Sequence, residues 1–571
     1  MEFENISIRT VVSFALGIAA FLLFTYLLAW IKADVVYNLV LLGIAIFEIP
    51  KSFQELRKIK FKNFLSWELL VLLIGALCMT SLTFFSGQDK DAGLVFYDVH
   101  NIDSVFHLSL IGSLIHQFPP EHGGLAGVPL RGYHFFYDFL LASFSKFYHL
   151  SSLDLFFRFF PLFLSLLYGG AILALCRFLR LNKITSCIFL FLGFFAQNLI
   201  FLLPISFSSI EVYDAGIIQS LSNIIDPNVI VSLIFLFCII LLLFCVKNKK
   251  QIIPVSILLG VLPELKIYTA VIAFGALFVL AGLRILQKKD FSYAKVLVLS
   301  GVIAAAVYLP INYGAGSLLF APFLIYRHFM ESSIGFAKFQ WALKYINYTD
   351  HHNYPRIAYL YGIAIFLFFI PTLGLRLFSL AFIPKLFKKN FYTPFTVFWL
   401  SLLGISLIIP TFFIQTQGPF VVVQFFWIMY VLLLLPTAIV LGNICGNSKI
   451  ITTFVIAALV FFSLPTNYKL FLKFNTNPTV IDKNFVMLAA AAETLVHPQE
   501  HILVLNRLKE ESIFQRIYDA YQGPLVSALT KRSVYIEPEG EIRSQTDIVS
   551  TRIQTVEQIA AISRSCGNAK K

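Results

Sequence analysis

Charged residues are scarce in this sequence. Asp, Glu, Lys and Arg make up 13% of its 571 residues, whereas hydrophobic residues make up 58%. A soluble globular domain carries about 25% charged residues, so the composition excludes an ordinary soluble protein. The apolar blocks also lack the period-two alternation that the strands of a membrane barrel require. The sequence therefore predicts an all-α bundle of membrane-spanning helices.

Cysteines are few and dispersed. Six of the seven lie in or beside apolar segments, and Cys566 stands alone near the end of the sequence. No pair has the CxxC spacing of a metal or redox motif. The sequence therefore predicts neither a disulfide framework nor a cysteine zinc site.

Long apolar runs occupy most of the first 465 residues. A helix of about 17 to 25 apolar residues crosses a hydrocarbon core about 30 Å thick, and we predict about thirteen such spans. Their ranges are 11–31, 35–50, 67–85, 154–176, 184–204, 228–246, 252–265, 267–284, 294–312, 357–376, 393–413, 421–441 and 449–465.

The net charge of +13 is distributed unevenly between these spans. Lys and Arg collect in alternate loops, chiefly Lys51–Lys62, Arg177–Lys183, Lys247–Lys250, Arg284–Lys295 and Arg376–Lys389. Basic loops remain in the cytoplasm, so we expect a multi-pass plasma (inner) membrane protein with a cytoplasmic N-terminus. The basic residues therefore indicate topology and not a nucleic-acid partner.

This topology predicts three large extracytoplasmic loops, at 86–153, 205–227 and 314–356. It also divides the chain into a transmembrane domain, 1–465, and an extracytoplasmic α/β tail, 466–571. The tail pattern predicts a helix in "DKNFVMLAAAAETL", strands in "HILVLN" and "RSVYIEP", and a helix in "DIVSTRIQTVEQIAAIS".

Two segments of the first loop read as juxtamembrane helices. Residues 133–150 are too short and too polar for a span, and crossing there would place every later basic loop outside. Residues 97–110 carry His100, Asp103 and His107 at helical spacing on one predicted face. We expect both helices to lie along the outer membrane surface and to border a cavity.

Three stretches resemble the GT-C superfamily of polyprenyl-phosphate-sugar-dependent glycosyltransferases, which includes the protein mannosyltransferases and aminoarabinose transferases. "NIDSVFHLSLIGSL" has Asp103 where these enzymes carry a loop-one acid, and "GVPLRGYHFFYDFLLASF" is similar to their second juxtamembrane helix. "GVLPELKIYTAV" resembles a segment whose lysine, here Lys266, lies at the outer tip between two spans. Ser104 replaces the commoner second acid, so a divalent metal ion as cofactor stays open.

The resemblance implies an inverting transfer of a sugar from a polyprenyl-phosphate donor to an extracytoplasmic glycan, lipid or protein. Such a reaction needs a carboxylate as general base and cations that stabilise the departing phosphate. We predict Asp103 as the base, with a solvated loop carboxylate or helix cap as the alternative. The predicted substrate-binding residues are His107, His134, Asp138, Lys266, Arg131, Arg327, Arg356, Asp98, His100 and Asp214.

Each of these residues has an alternative role. Lys266 interrupts a long apolar stretch. A charge there is costly unless it has a functional role or its side chain reaches the membrane interface. The arginines match phosphate geometry but also suit interfacial anchors. Asp98 is the nearest competitor of Asp103. The acids of the second loop, Glu211, Asp214 and Asp226, could supply a second carboxylate or half of a cation site, but loop acids are commonly only solvated, and Asp226 before Pro227 reads equally well as a turn or cap.

Other functions remain open at this point. Six histidines lie within the first loop, but they lack HxxxH or HExxH zinc spacing. A transporter or flippase would place ionisable groups within broken spans, whereas here the polar residues lie mainly outside them. A lipid-linked-glycan polymerase or ligase is a closer alternative, although such enzymes carry their large loop later in the chain. A scaffold without catalytic activity is also open.

Overall fold

The protein is a helical bundle with few strands. The structure is a computed structural model, and it describes residues 6–33, 36, 66–202, 219–245, 251–288, 290–314, 316–332, 339–386, 392–416, 421–446, 448–497, 500, 502, 525–531 and 534. The helices are α1 (Ile6–Trp30), α2 (Trp67–Phe84), α3 (Asp103–His116), α4 (Phe136–Tyr148), α5 (Ser152–Phe178), α6 (Lys183–Phe195), α7 (Pro227–Cys245), α8 (Ile252–Leu265), α9 (Ile267–Leu286), α10 (Ser292–Asn312), α11 (Leu324–Ser332), α12 (Trp341–Asp350), α13 (Tyr354–Leu373), α14 (Pro394–Phe412), α15 (Val421–Cys445), α16 (Lys449–Lys473), α17 (Lys483–Leu495) and α18 (Leu525–Thr530).

Ten helices in the described ranges are long and apolar enough to cross a membrane: α1, α2, α5, α7, α9, α10, α13 with the 3₁₀ stretch after it, α14, α15 and α16. The shorter apolar helices α6 and α8 match two more predicted spans. The predicted span 35–50 lies outside the described residues. The prediction of a polytopic helical membrane protein is confirmed.

Neighbouring spans run antiparallel and pack closely. At one end of the α2–α5 pair, Arg177 Nη2 lies 3.1 Å from Glu68 Oε1, and at the other Arg158 Nη2 donates to the Ser86 carbonyl at 3.0 Å. Between these ends, a Cβ on Gly75 would lie 2.3 Å from the Phe194 ring. Only glycine therefore allows α2 to approach α6 this closely.

The first loop contains two short helices, as predicted. The helix α3 begins at Asp103, because Asp98 has a positive φ of 48° and residues Asp98–Asn101 form a 3₁₀ turn. The prediction that His100 shares a helical face with Asp103 is therefore wrong. The helix α4 packs on α3, and its 13 residues extend about 20 Å, which is too short for a span.

Short strands connect the loop to the end of the chain. Strands β1 (Gln88–Lys90) and β2 (Gly93–Phe96) form a hairpin, and β5 (Thr479–Asp482) pairs antiparallel with β2. A second antiparallel pair joins β3 (Leu318–Phe320) to β4 (Phe413–Gln415). These strands have three or four residues each, too few for an alternating pattern to be recognised in the sequence.

The tail docks on the first loop. The predicted helix in "DKNFVMLAAAAETL" is confirmed as α17, and α18 packs on α3. Val534 bridges Ile502 in parallel and exchanges hydrogen bonds with Gly123 and Ala126. The helix α16 continues to Lys473, so the predicted boundary at 465 falls inside a helix. The predicted last helix lies outside the described residues.

One basic residue departs from the predicted topology. Arg376 was expected in a cytoplasmic loop, but its side chain is fully buried. Its guanidinium donates to the Tyr430 carbonyl and to Gln219 Oε1, both at 2.9 Å. It also donates to the Ala196 carbonyl at 3.3 Å, where α6 has ended at Phe195, short of the predicted 204. Burial is tolerated because these oxygens satisfy the donors.

Candidate functional site

Six polar side chains from distant parts of the chain converge at one end of the bundle. We call them the polar cluster: Asp103 and His107 of α3, His134 in the loop before α4, Asp138 of α4, Asp226 at the start of α7, and Lys266 between α8 and α9. The tail strand β5 and the ends of α10 and α16 lie at the same end. The structure thus brings together five predicted site residues and Asp226.

Lys266 is the buried cation of the cluster. It is 3% exposed and separates α8 from α9 in an extended conformation, with φ −162° and ψ 106°. Its Nζ lies 2.5 Å from Asp226 Oδ2 and 3.3 Å from His134 Nε2. The rings of Tyr268 and Trp427 lie 5.9 Å from the same Nζ. Aromatic faces and a carboxylate together stabilise the ammonium away from bulk water.

The two partners of Lys266 respond to it in opposite ways. Burial alone would raise the pKa of Asp226, but nearby positive charge, above all the Lys266 ammonium and its hydrogen bond, outweighs it, so the net pKa is lowered and the carboxylate is ionised. Burial, together with Lys266, lowers the pKa of His134 well below its usual value. Its neutral imidazole therefore accepts a hydrogen bond from the ammonium. The arrangement is an ion pair flanked by a neutral histidine.

Asn312 holds the histidine loop in place from the end of α10. Its Oδ1 accepts from the Gly132 N–H at 2.7 Å and the Tyr133 N–H at 3.2 Å. Its Nδ2 donates to Glu264 Oε1 at 2.6 Å. The Tyr133 ring in turn stacks on the His134 ring at 4.8 Å and 11°. A chain of contacts thus fixes His134 beside Lys266.

We expect Asn312→Ala to destabilise the protein by about 1 to 3 kcal/mol, because it removes a hydrogen-bond partner from two part-buried N–H groups and from the buried Glu264 carboxyl. Thermal unfolding in detergent measures the loss. Asn347→Ala is the matched control, since Asn347 is exposed on α12. Equal unfolding temperatures for both variants would contradict the role of Asn312.

His107 and Asp138 form a second pair, between the two loop helices. His107 Nδ1 lies 2.9 Å from Asp138 Oδ1, and Tyr133 Oη lies 3.4 Å from His107 Nε2. Burial alone would lower the pKa of His107, but the Asp138 carboxylate outweighs it, so the net pKa is raised. His107 therefore brings positive charge towards Asp103, which lies one helical turn earlier.

Asp103 is the exposed carboxylate of the cluster. It is the first residue of α3, and no described residue donates a hydrogen bond to its side-chain oxygens. Loss of solvation by the surrounding protein raises its pKa, and the negative charges of Asp226 and Asp98 add to this, whereas His107 and Lys266 act against it. Solvent access and a raised pKa together suit a group that accepts a proton.

The other loop-one candidates make structural contacts. His100 is buried, with its Nδ1 2.7 Å from Ser86 Oγ and its ring against Phe157 and Phe474. Burial lowers the pKa of His100 to about 3, so the imidazole is neutral. Asp98 Oδ2 lies 3.3 Å from Lys473 Nζ, which ties the loop to the end of α16.

The predicted arginine clamps have other neighbours. Arg327 pairs with Glu331 at 2.7 Å, and its guanidinium lies 4.2 Å from the centre of the Tyr345 ring. Arg356 lies 5.4 Å from the Tyr348 ring. Arg131 is exposed in the loop before α4. Asp214 lies outside the described residues.

Metal binding was left open by the sequence. Within the described ranges, no group of three or more His, Cys, Asp or Glu side chains is placed to hold a metal ion. The Asp226 carboxylate is paired with Lys266. The described residues therefore do not fit a metal centre.

Sequence reasoning missed two supporting residues, Glu264 and Asn312. It gave Asp226 only as one of the acids of the second loop, where it reads equally well as a turn or cap. Glu264 lies two residues before Lys266 in the same apolar stretch. A second ionisable residue in this stretch could have indicated a functional site, because intramembrane charges are costly unless they have a functional role.

No family model and no curated protein sequence matches the chain. Similar solved structures include the archaeal oligosaccharyltransferase AglB from Archaeoglobus fulgidus in complex with an inhibitory peptide and a dolichol-phosphate. It is 14% identical, with a TM-score of 0.47, and the match covers 87% of this chain and 69% of that one. A second is an Archaeoglobus fulgidus oligosaccharyltransferase tethered with an acceptor peptide, at 13% identity and a TM-score of 0.46, covering 87% and 68%.

At these values of identity and TM-score, the likeness assigns no activity to this chain.

Proposed function

We propose that the protein is a membrane glycosyltransferase that transfers a sugar from a polyprenyl-phosphate donor to an extracytoplasmic glycan, lipid or protein. The observation that carries the proposal is that the polar cluster combines a carboxylate that can act as a base with a cation that can face a phosphate. An exposed carboxylate with a raised pKa, Asp103, lies within electrostatic reach of a buried cation, Lys266, at the end of the spanning helices. A lipid-linked phosphate reaches such a position through the bilayer.

Asp103 acts as the general base in this proposal. Its carboxylate takes the proton from an acceptor hydroxyl as that oxygen attacks the anomeric carbon of the sugar. The bond from this carbon to the phosphate oxygen breaks, and its electron pair leaves with the phosphate. Because attack and departure occur on opposite faces, the anomeric configuration inverts. The departing phosphate needs no proton, since it is stable as an anion.

Lys266 supplies the positive end of the site, and the neutral imidazole of His134 helps to hold its ammonium in place. Charge grows on the phosphate as the sugar departs, and fixed donors near that oxygen stabilise the transition state. Asp226 holds the Lys266 ammonium at 2.5 Å. His107, which is held by Asp138, lowers the pKa of Asp103 and so favours its deprotonated carboxylate. We assign Arg131, Arg327 and Arg356 to substrate entry or anchoring around this centre.

The charge distribution supports an extracytoplasmic site. Arg177, Lys183, Arg284 and Lys449 lie at the helix ends opposite the polar cluster, at the C-terminus of α5, the N-terminus of α6, the C-terminus of α9 and the N-terminus of α16. The positive-inside rule places that end in the cytoplasm. The polar cluster and the tail then face outwards from the inner membrane.

The direct test uses the purified chain, a polyprenyl-phosphate donor carrying a labelled sugar, and membrane glycans, lipids and peptides as acceptors. We expect labelled acceptor with this donor and none with a nucleotide sugar. Absence of transfer to every acceptor class, with the donor bound, would contradict the proposal.

The pH dependence tests the roles of Asp103 and His107 together. A base works when deprotonated, so kcat/KM should fall as the pH drops through the raised pKa of Asp103. His107 lowers that pKa, and we therefore expect His107→Gln to move the acid limb to higher pH. His149→Asn, at an exposed position after α4, is the control and should leave the limb unchanged. A limb that does not move in His107→Gln would show that the two groups are uncoupled.

A further inference from the structure

A cavity lies at the far end of the two loop helices from Asp103. It has a volume of about 390 Å³ and is lined by the end of α1, the end of α3 and the following residues, and the second half of α4. We call it the α1 groove. Asp103 lies at the opposite end of α3, which is 14 residues long, so about 20 Å of helix separates the two sites.

The α1 groove combines positive charge with an apolar floor. Two lysines, Lys32 and Lys146, line it together with His116, and none of its described lining residues is an Asp or Glu. Leu28, Leu114 and Phe139 supply buried apolar surface. Positive side chains above buried hydrocarbon are complementary to an anionic head group attached to an acyl chain.

The position of the groove suits the membrane interface. It opens beside the end of α1, a helix long enough to span. Trp30 at that end is 41% exposed and lies edge-on to Phe118, with ring centres 5.3 Å apart. Tryptophan at the end of a spanning helix commonly lies at head-group level.

We infer that the α1 groove binds the head group of an anionic phospholipid of the bilayer. The lysines contact the phosphate, and the first methylenes of an acyl chain lie on the apolar floor. A bilayer phospholipid is favoured over a polyprenyl-phosphate donor because the described lining contains no carboxylate to serve as a base. The bound lipid joins α1 to α3 and α4, and the inference is independent of the proposed reaction.

Native mass spectrometry of the purified full chain tests this with dioleoylphosphatidylglycerol, dioleoylphosphatidylcholine and undecaprenyl phosphate as separate probes. We expect the double variant Lys32→Gln/Lys146→Gln to bind phosphatidylglycerol about 10- to 30-fold more weakly, the effect of two surface lysines. Lys90→Gln/Lys344→Gln removes two exposed lysines elsewhere and should change nothing.

A neutral variant separates shape from charge. Ala29→Phe narrows the groove without changing its charge, and we expect it to reduce phosphatidylglycerol binding while the unfolding temperature stays near wild type. The inference is overturned if wild type binds both phospholipids equally or if the lysine variant retains phosphatidylglycerol. It is also overturned if the lysine substitutions weaken only undecaprenyl phosphate, since the groove would then belong to the donor.

Discussion

Asp103→Asn should lower sugar transfer by about 10²- to 10⁴-fold, the usual contribution of a general base. The amide has nearly the shape of the carboxylate but cannot accept the proton of the acceptor hydroxyl. Asp103 is exposed and receives no hydrogen bond from the described residues, so the substitution should leave the fold intact. Transfer of labelled sugar at saturating donor measures the loss, with the unfolding temperature as the check on folding.

Two neighbouring aspartates make this result specific. Asp89→Asn changes an exposed residue of β1 and should transfer sugar at the wild-type rate. Asp98→Asn removes the partner of Lys473, so its main effect should be on stability. If Asp98→Asn abolishes transfer in a folded protein while Asp103→Asn does not, the base is Asp98.

The spanning helices could be predicted because each is specified locally. Twelve predicted runs coincide with helices, since an apolar run of this length has few alternatives to a helix in lipid. The ends of the helices were less predictable where tertiary contacts decide them. The helix α6 ends at Phe195, where Arg376 supplies donors to the next carbonyl. The helix α3 begins only at Asp103, because the chain turns at Asp98.

The candidate site could be predicted only in part. Asp103, His107 and Lys266 were selected from residue type and position, because polar residues are rare near these spans. Their partners depend on the packing of distant segments. Asp226 is 40 positions from Lys266, and Asp138 is 31 from His107. The sequence around Asp226 is that of an ordinary aspartate before a proline. Nothing in it indicates that this residue pairs with a buried lysine.

Lys266→Gln is expected to lower kcat/KM for the donor by about 10²- to 10³-fold, as removal of one fixed donor to a growing anion does. It also leaves the Asp226 carboxylate without its ammonium. Breaking a buried pair costs about 3 to 5 kcal/mol, and the cost here should be lower because the Asp226 side chain is 21% exposed. Donor-dependent kinetics and thermal unfolding measure the two effects separately.

The double variant Lys266→Gln/Asp226→Asn distinguishes catalysis from structure. Removing both charges leaves no unpaired carboxylate, so we expect the unfolding temperature to return towards wild type. Sugar transfer should stay low, because no cation faces the departing phosphate. Lys266→Arg keeps the charge and should retain part of the activity, despite its different geometry. If transfer recovers together with stability in the double variant, Lys266 only supports the fold, and the phosphate must be bound by other cations.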